Sequence, residues 1–188
     1  MRCFVAIDLA PEVRAAVAAA QAGLRAAAPR ADVRWVDPAG MHLTLKFLGE
    51  VPEERLPALQ GALTEAVTRR PALALAARGL GGFPNARRPR VVWMGIAGDG
   101  EALGRTAVVV EDALVPLGYP AEARPFRGHV TLARVRSPRG LAQLGDAIAA
   151  GAHADFGAWT AQEVVLYRSH LKPSGAVYEP LARLPFAG

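Results

Sequence analysis

Residues 41–47 read Met41-His42-Leu43-Thr44-Leu45-Lys46-Phe47. Apolar and polar residues alternate, with Met41, Leu43, Leu45 and Phe47 on one side and His42, Thr44 and Lys46 on the other. A period of two belongs to a β-strand with one buried face. The other face then presents an imidazole, a hydroxyl and an ammonium together. Neighbours on that face stand about 7 Å apart along the strand. The turn residues Asp37-Pro38-Ala39-Gly40 open it.

Working outward, the chain repeats the pattern. Arg127 to Val135 reads as a second strand and carries Gly128-His129-Val130-Thr131-Leu132. The surroundings match as well. The first half runs strand Arg2–Leu9, helix Pro11–Ala28, a break at Pro29, the extended piece Val33–Val36, then His-Leu-Thr-Leu. The second runs strand Val91–Ile96, helix Glu101–Leu117, a break at Gly118 and Pro120, then His-Val-Thr-Leu. The histidines lie 87 positions apart (129 − 42) and the helix starts 90 (101 − 11). Such agreement predicts a duplicated α+β unit. Further helices are expected over 52–69 and 141–150, and strands over 73–80 and 90–97 around a Gly/Pro/Arg-rich loop at 81–89. Strands over 163–170 and 176–184 close the chain as a hairpin across Pro173-Ser174-Gly175. The expectation is one two-lobed domain over residues 1–188, with a cleft on its pseudo-twofold axis.

Composition sets outer limits. A hydrophobic content of 52% supports a buried core and argues against disorder. The apolar start Cys3–Ile7 is cut by Asp8, too early for a signal-peptide core or a membrane span, so a cytoplasmic location is expected and no membrane association. A single cysteine excludes an internal disulfide and argues against a thiolate metal site. No His/Asp/Glu group has metal-ligand spacing, and the glycines at 79–82 and 98–100 lack the lysine and hydroxyl of a phosphate-binding loop. The reading is therefore no metal, no cofactor and no obligate protein partner. The net charge of +5 leans toward a polyanionic partner. It weighs little, because Lys46 and Lys172 are the only lysines among 22 basic residues, which points to a chain-wide bias toward arginine.

The chemistry lies in the pair. One His-x-Thr on a strand reads as structural; two copies in matching contexts read as a constellation. Facing one cleft, a neutral imidazole can take a proton from water while a protonated one gives a proton to a departing oxygen. The hydroxyls of Thr44 and Thr131 can hydrogen-bond non-bridging oxygens of an anionic phosphorus centre. Lys46, on the face of His42, and Arg127, two residues before His129, are further candidates for phosphate contact. Phe47 and Trp93 could stack on a base, yet their alternation reads as core. His153 and His170 read as structural, and Arg87 and Arg88 as an exposed loop.

His42-Leu43-Thr44-Leu45 and His129-Val130-Thr131-Leu132 resemble the paired motifs of the two-histidine (2H) phosphoesterases. The opening Arg2–Leu9, Val33–Val36, Lys46–Val51, Arg90–Gly95, Arg124–Phe126, Leu166–Leu171 and Tyr178–Leu181 narrow the resemblance to the RNA 2′,3′-cyclic phosphodiesterases, also called 2′-5′ RNA ligases. It covers essentially the whole chain. One departure is Gly128, where the family often has proline, which bears on the local loop conformation.

The resemblance implies an α+β, bilobal fold in which two antiparallel sheets face each other across a central cleft, with helices outside. It implies RNA ends bearing a cyclic phosphate as partner, with His42 as general acid, His129 as general base, and Thr44 and Thr131 on the phosphate. Arg90, in a family-like stretch, joins Lys46 and Arg127 as a substrate-binding candidate. Attack by an RNA 5′ hydroxyl would give ATP-independent 2′-5′ ligation as a side activity. Two alternatives stay open: the same chemistry on a 2′-5′ oligonucleotide or a small cyclic phosphate, and a non-catalytic RNA-binding module.

Overall fold

The computed structural model describes residues 1–172 and 175–187. Its elements are β1 (Arg2–Asp8), α1 (Pro11–Ala27), β2 (Val33–Trp35), β3 (His42–Glu50), α2 (Leu56–Val67), β4 (Leu73–Phe83), β5 (Val91–Gly98), α3 (Gly100–Leu114), β6 (His129–Val135), α4 (Leu141–Ala150), β7 (Asp155–Ala161), β8 (Glu163–Lys172) and β9 (Gly175–Pro185). Pro173 and Ser174, in the expected hairpin turn, lie outside the described residues. No helix among the described residues is long and apolar enough to cross a membrane.

The helices follow from local chemistry. Proline at its first position starts α1, and Val13, Val17, Gln21 and Leu24 form its buried stripe within a run of alanines. The Asp99 carboxylate accepts the Ala102 N–H at 3.1 Å and caps α3. Two segments depart from expectation. Strand β4 continues through glycines that read as loop, because Gly81 makes room for the Trp93 indole: a Cβ there would lie 2.2 Å from a ring atom. Strand β7, whose alternation is too irregular to stand out in the sequence, pairs with the outer side of β4.

All described strands join one antiparallel sheet in the order β7-β4-β5-β6-β3-β1-β8-β9, with β2 added on β6. The order is symmetric about the β6–β3 contact, where the registered pair is Leu43 with Val130. The two expected sheets are thus halves of one curled sheet. Helices α1 and α4 pack over β7 and β4, and α2 and α3 over β9 and β3. Each half lends a helix to the other, since α1 follows β1 but covers β7, while α3 follows β5 but covers β3. Leu43, Leu45, Val130 and Leu132 point into the helix-covered core, and the opposite face carries the motif side chains.

Both motif strands contain a bulge at the same place. Val5 pairs with Lys46 and Ala6 with Thr44, leaving Leu45 unmatched. Val92 pairs with Ala133 and Trp93 with Thr131, leaving Leu132 unmatched. An extra residue reverses the alternation beyond it. Lys46 and Ala133 therefore join the core, while Phe47 and Arg134 turn to the open face.

The buried amide of Gln21 holds the second bulge, donating to the carbonyls of Leu132 at 2.9 Å and Val36 at 2.7 Å. Replacing Gln21 with Leu removes that donor and should destabilise the protein by about 1–3 kcal/mol. Thermal unfolding checks this, with a midpoint lower by about 2–4 °C per kcal/mol. An unchanged midpoint would mean the clamp contributes nothing.

Candidate active site

The β3–β6 register builds the site. With Leu43 opposite Val130, antiparallel pairing sets His42 level with Thr131 and His129 level with Thr44. All four side chains stand on the face opposite the core. His42, Thr44 and Thr131 line a cavity of about 330 Å³, together with Phe47, Arg134 and Tyr178. His129 is the one motif residue outside that lining, and it stands half-buried beside Phe83, whose ring meets the imidazole edge-on at 5.1 Å.

The imidazoles are held alike. His42 Nδ1 lies 2.8 Å from the Gly40 carbonyl and His129 Nδ1 lies 2.7 Å from the Arg127 carbonyl, each two residues upstream. A carbonyl only accepts, so Nδ1 carries the proton in both rings. Each Nε2 is left to exchange a proton with a bound molecule. The twofold repeat thus reaches the level of single hydrogen bonds.

Their surroundings differ. His42 stacks on Phe4 with ring centres 4.6 Å apart and meets Tyr178 edge-on at 5.0 Å. Phe4, Ala6, Val165 and Tyr167 form a small apolar cluster beneath it, distinct from the main core. Burial lowers the pKa of His42 below the ordinary 6.5, more than the Gly40 carbonyl and the Asp8 carboxylate raise it; the nearby Arg14 lowers it further. A second cavity, of about 300 Å³, opens on the other side of His42. There Tyr167 donates to both oxygens of Asp8 at 2.7 and 2.9 Å. Burial and the Asp8 charge push the Tyr167 phenol far up, so it stays a donor.

Not every expected residue reaches the site. Lys46 does not: the Leu45 bulge turns it into the core, where it is 3% exposed. Its ammonium donates to the Pro120 carbonyl at 2.7 Å and pairs with Glu111 at 3.3 Å. Glu111 also accepts the Glu122 N–H at 3.1 Å, so Lys46 ties α3 to the segment that leads into His129. Phe47, read as core, is instead 62% exposed on the open face. Arg127 precedes the strand and meets His129 through its carbonyl. Arg90 is brought to the far end of β6, bonded through its carbonyl to Val135, about 20 Å along the strand from His129. The residues that sequence reasoning missed are Phe4, Tyr178 and Arg134. Phe4 and Tyr178 lie in the stretches that carried the family resemblance, and Arg134 is 87 positions from Phe47 (134 − 47) in the same repeat.

Interwoven α+β halves that set two His-x-Thr motifs side by side on one open face define a two-histidine phosphoesterase. A family model described as LigT like Phosphoesterase matches residues 7–93 and 97–178, and the chain belongs to that family. It is 35% identical over 181 residues to an RNA 2′,3′-cyclic phosphodiesterase of Archaeoglobus fulgidus, covering 96% of this chain and 98% of that one. The crystal structure of TT0787 of Thermus thermophilus superposes with a TM-score of 0.82 at 34% identity, covering 100% of this chain and 99% of that one. Escherichia coli LigT complexed with 3′-AMP gives a TM-score of 0.76 at 29% identity, covering 100% and 98%.

Two expectations follow from these surroundings. Between the lowered folded value of His42 and 6.5, the unfolded chain binds its proton and the folded chain does not. Stability should therefore fall as pH drops through that window and be unaffected by His42 above it. Its imidazole resonances should titrate below pH 6.5, and a midpoint above 6.5 would contradict the effect of burial. Separately, Lys46→Met strips Glu111 of its buried partner and should cost about 3 kcal/mol, with faster tryptic cleavage after Arg127. A change in substrate KM without loss of stability would restore Lys46 as a phosphate ligand.

Proposed function

We propose that the chain hydrolyses a 2′,3′-cyclic phosphate at an RNA end to a 2′-phosphate, using His42 and His129 as an acid/base pair without a metal ion. The observation that carries this reading is the matched pinning of both imidazoles by Nδ1, each level with a threonine hydroxyl of the other motif. The names of its relatives support the substrate, and the 3′-AMP complex of LigT supports a site for a nucleotide phosphate.

In the proposed reaction the Nε2 of His129 takes a proton from water as the water oxygen bonds to phosphorus. The bond from phosphorus to the 3′ oxygen breaks, and His42 Nε2–H protonates that oxygen. The 2′-phosphate and a free 3′ hydroxyl result. Burial that holds the His42 proton loosely makes its imidazolium a strong donor, and the arriving phosphate anion favours loading it. Thr44 and Thr131 donate to the non-bridging oxygens, whose charge grows in the transition state, and Arg127 adds positive charge at the rim. An RNA 5′ hydroxyl in place of water gives a 2′-5′ linkage, a side reaction because water is far more abundant. A cytoplasmic RNA pool is the proposed setting.

A short RNA ending in a 2′,3′-cyclic phosphate, incubated with the protein in strong chelator, should yield the 2′-phosphate. His42→Ala and His129→Ala should each lower kcat/KM by at least about 10²-fold. The pH profile should be bell-shaped, because one imidazole must be neutral while the other is charged. Activity lost in chelator and restored by a divalent metal would overturn the mechanism.

A further inference from the structure

Arg34 on β2 and Arg134 on β6 are direct cross-strand partners, and both are exposed. Direct partners in an antiparallel pair project from the same face, and like charges in that position repel. Among the described residues neither arginine enters an ion pair that would relieve the repulsion. Two other arginines beside the site are already engaged. Arg14 donates to the carbonyls of Pro38, Ala39 and Met41, and Arg183 pairs with Asp8 and Glu163. Arg2, which lines the same cavity, has the acidic Glu50 opposite it in register. In the Arg34–Arg134 pair two cations meet across strands with no acid paired to either among the described residues.

The pair also has a direction. Arg134 lines the cavity of His42, Thr44 and Thr131. The guanidinium of Arg34 reaches toward Gly175 at the β8–β9 turn, 3.8 Å from where a Cβ would stand there. The fields of both arginines reach the Tyr178 hydroxyl, which lines that cavity too. They therefore form one positive cluster on the open face, on the β2–β6 side of the motif. The repeat adds an asymmetry: the position that is Arg134 in β6 is the exposed ring of Phe47 in β3.

We propose that Arg34 and Arg134 together hold the phosphodiester on the 5′ side of the terminal nucleotide, so that the RNA chain leaves the site over β2 and β6. Two guanidinium groups side by side present forked donors to the non-bridging oxygens of one phosphate, and an anion between them replaces repulsion with attraction. The inference rests on the reading of the site as one for RNA ends, and it sets oligomers apart from mononucleotides as substrates. A nucleoside 2′,3′-cyclic phosphate has no upstream phosphate to offer, whereas a dinucleotide with the same end has one.

The test compares kcat/KM for those two substrates in the parent, Arg34→Gln, Arg134→Gln and Arg2→Gln proteins. The parent should prefer the dinucleotide. That preference should fall about tenfold in each of the Arg34 and Arg134 variants and hold in Arg2→Gln. Loss of one phosphate contact should also flatten the salt dependence on the dinucleotide by about 0.7 in log–log slope. Melting temperatures should hold or rise, because each change relieves a like-charge pair. Equal losses on both substrates would assign the arginines to the reacting phosphate and overturn the proposal. An unchanged preference, or one lost only in Arg2→Gln, would overturn it too. If the parent hydrolyses neither substrate, the functional reading fails by itself. Affinity for a dinucleotide ending in a 2′-phosphate then decides the arginines, with weaker binding in the variants supporting them and equal binding refuting them.

Discussion

The contact between β3 and β6 is the constraint on which the site rests. One registered pair, Leu43 with Val130, joins the halves of the sheet. Because strand side chains alternate, that pair sends both histidines and both threonines to one face and the leucines between them to the core. A slip of one residue would bury the imidazoles and expose the apolar set, so the core enforces the register on which the site depends. The exchanged helices support this seam, since α1 and α3 each originate in one half and pack on the other. A site assembled from both halves needs the halves fixed relative to each other, and interweaving does that more firmly than a surface contact.

The paired bulges at Leu45 and Leu132 shape what surrounds the motifs. In β3 the reversal carries a cation inward and an aromatic ring outward; in β6 it carries an alanine inward and an arginine outward. A lysine facing the core is tolerable only when its donors and charge are matched. Lys46 meets that demand through Glu111 and the Pro120 carbonyl, and in doing so anchors the approach to His129. The first motif strand therefore helps to place the second motif. On the open face, the same step of the repeat supplies a stacking surface from one half and a positive charge from the other.

Symmetry fixes the imidazoles alike, but environment separates them. Both Nδ1 atoms are tied to a main-chain carbonyl, whereas only His42 sits on an aromatic cluster that excludes water. Two identical histidines in identical surroundings would compete for the same proton state. Desolvation makes His42 hold a proton less firmly than an ordinary imidazole does.

What the sequence by itself determined was the local grammar and its repetition. Alternation marked the motif strands, proline and an alanine run marked α1, and the 87-residue spacing of the histidines marked a duplicated unit (129 − 42). The pair of His-x-Thr motifs was legible because its signal is short-range and occurs twice. The tertiary structure alone decided the fate of Lys46 and Phe47, because a bulge is imposed by pairing with β1 and leaves no mark in a period-two pattern. It also decided which arginines face one another. Arg34 and Arg134 lie a hundred residues apart in the chain (134 − 34) and become neighbours only through the β2–β6 pairing. Periodicity reports which face a side chain takes relative to its own strand, whereas a cleft is made by strands distant in sequence, and their register is set by the packing of the whole sheet.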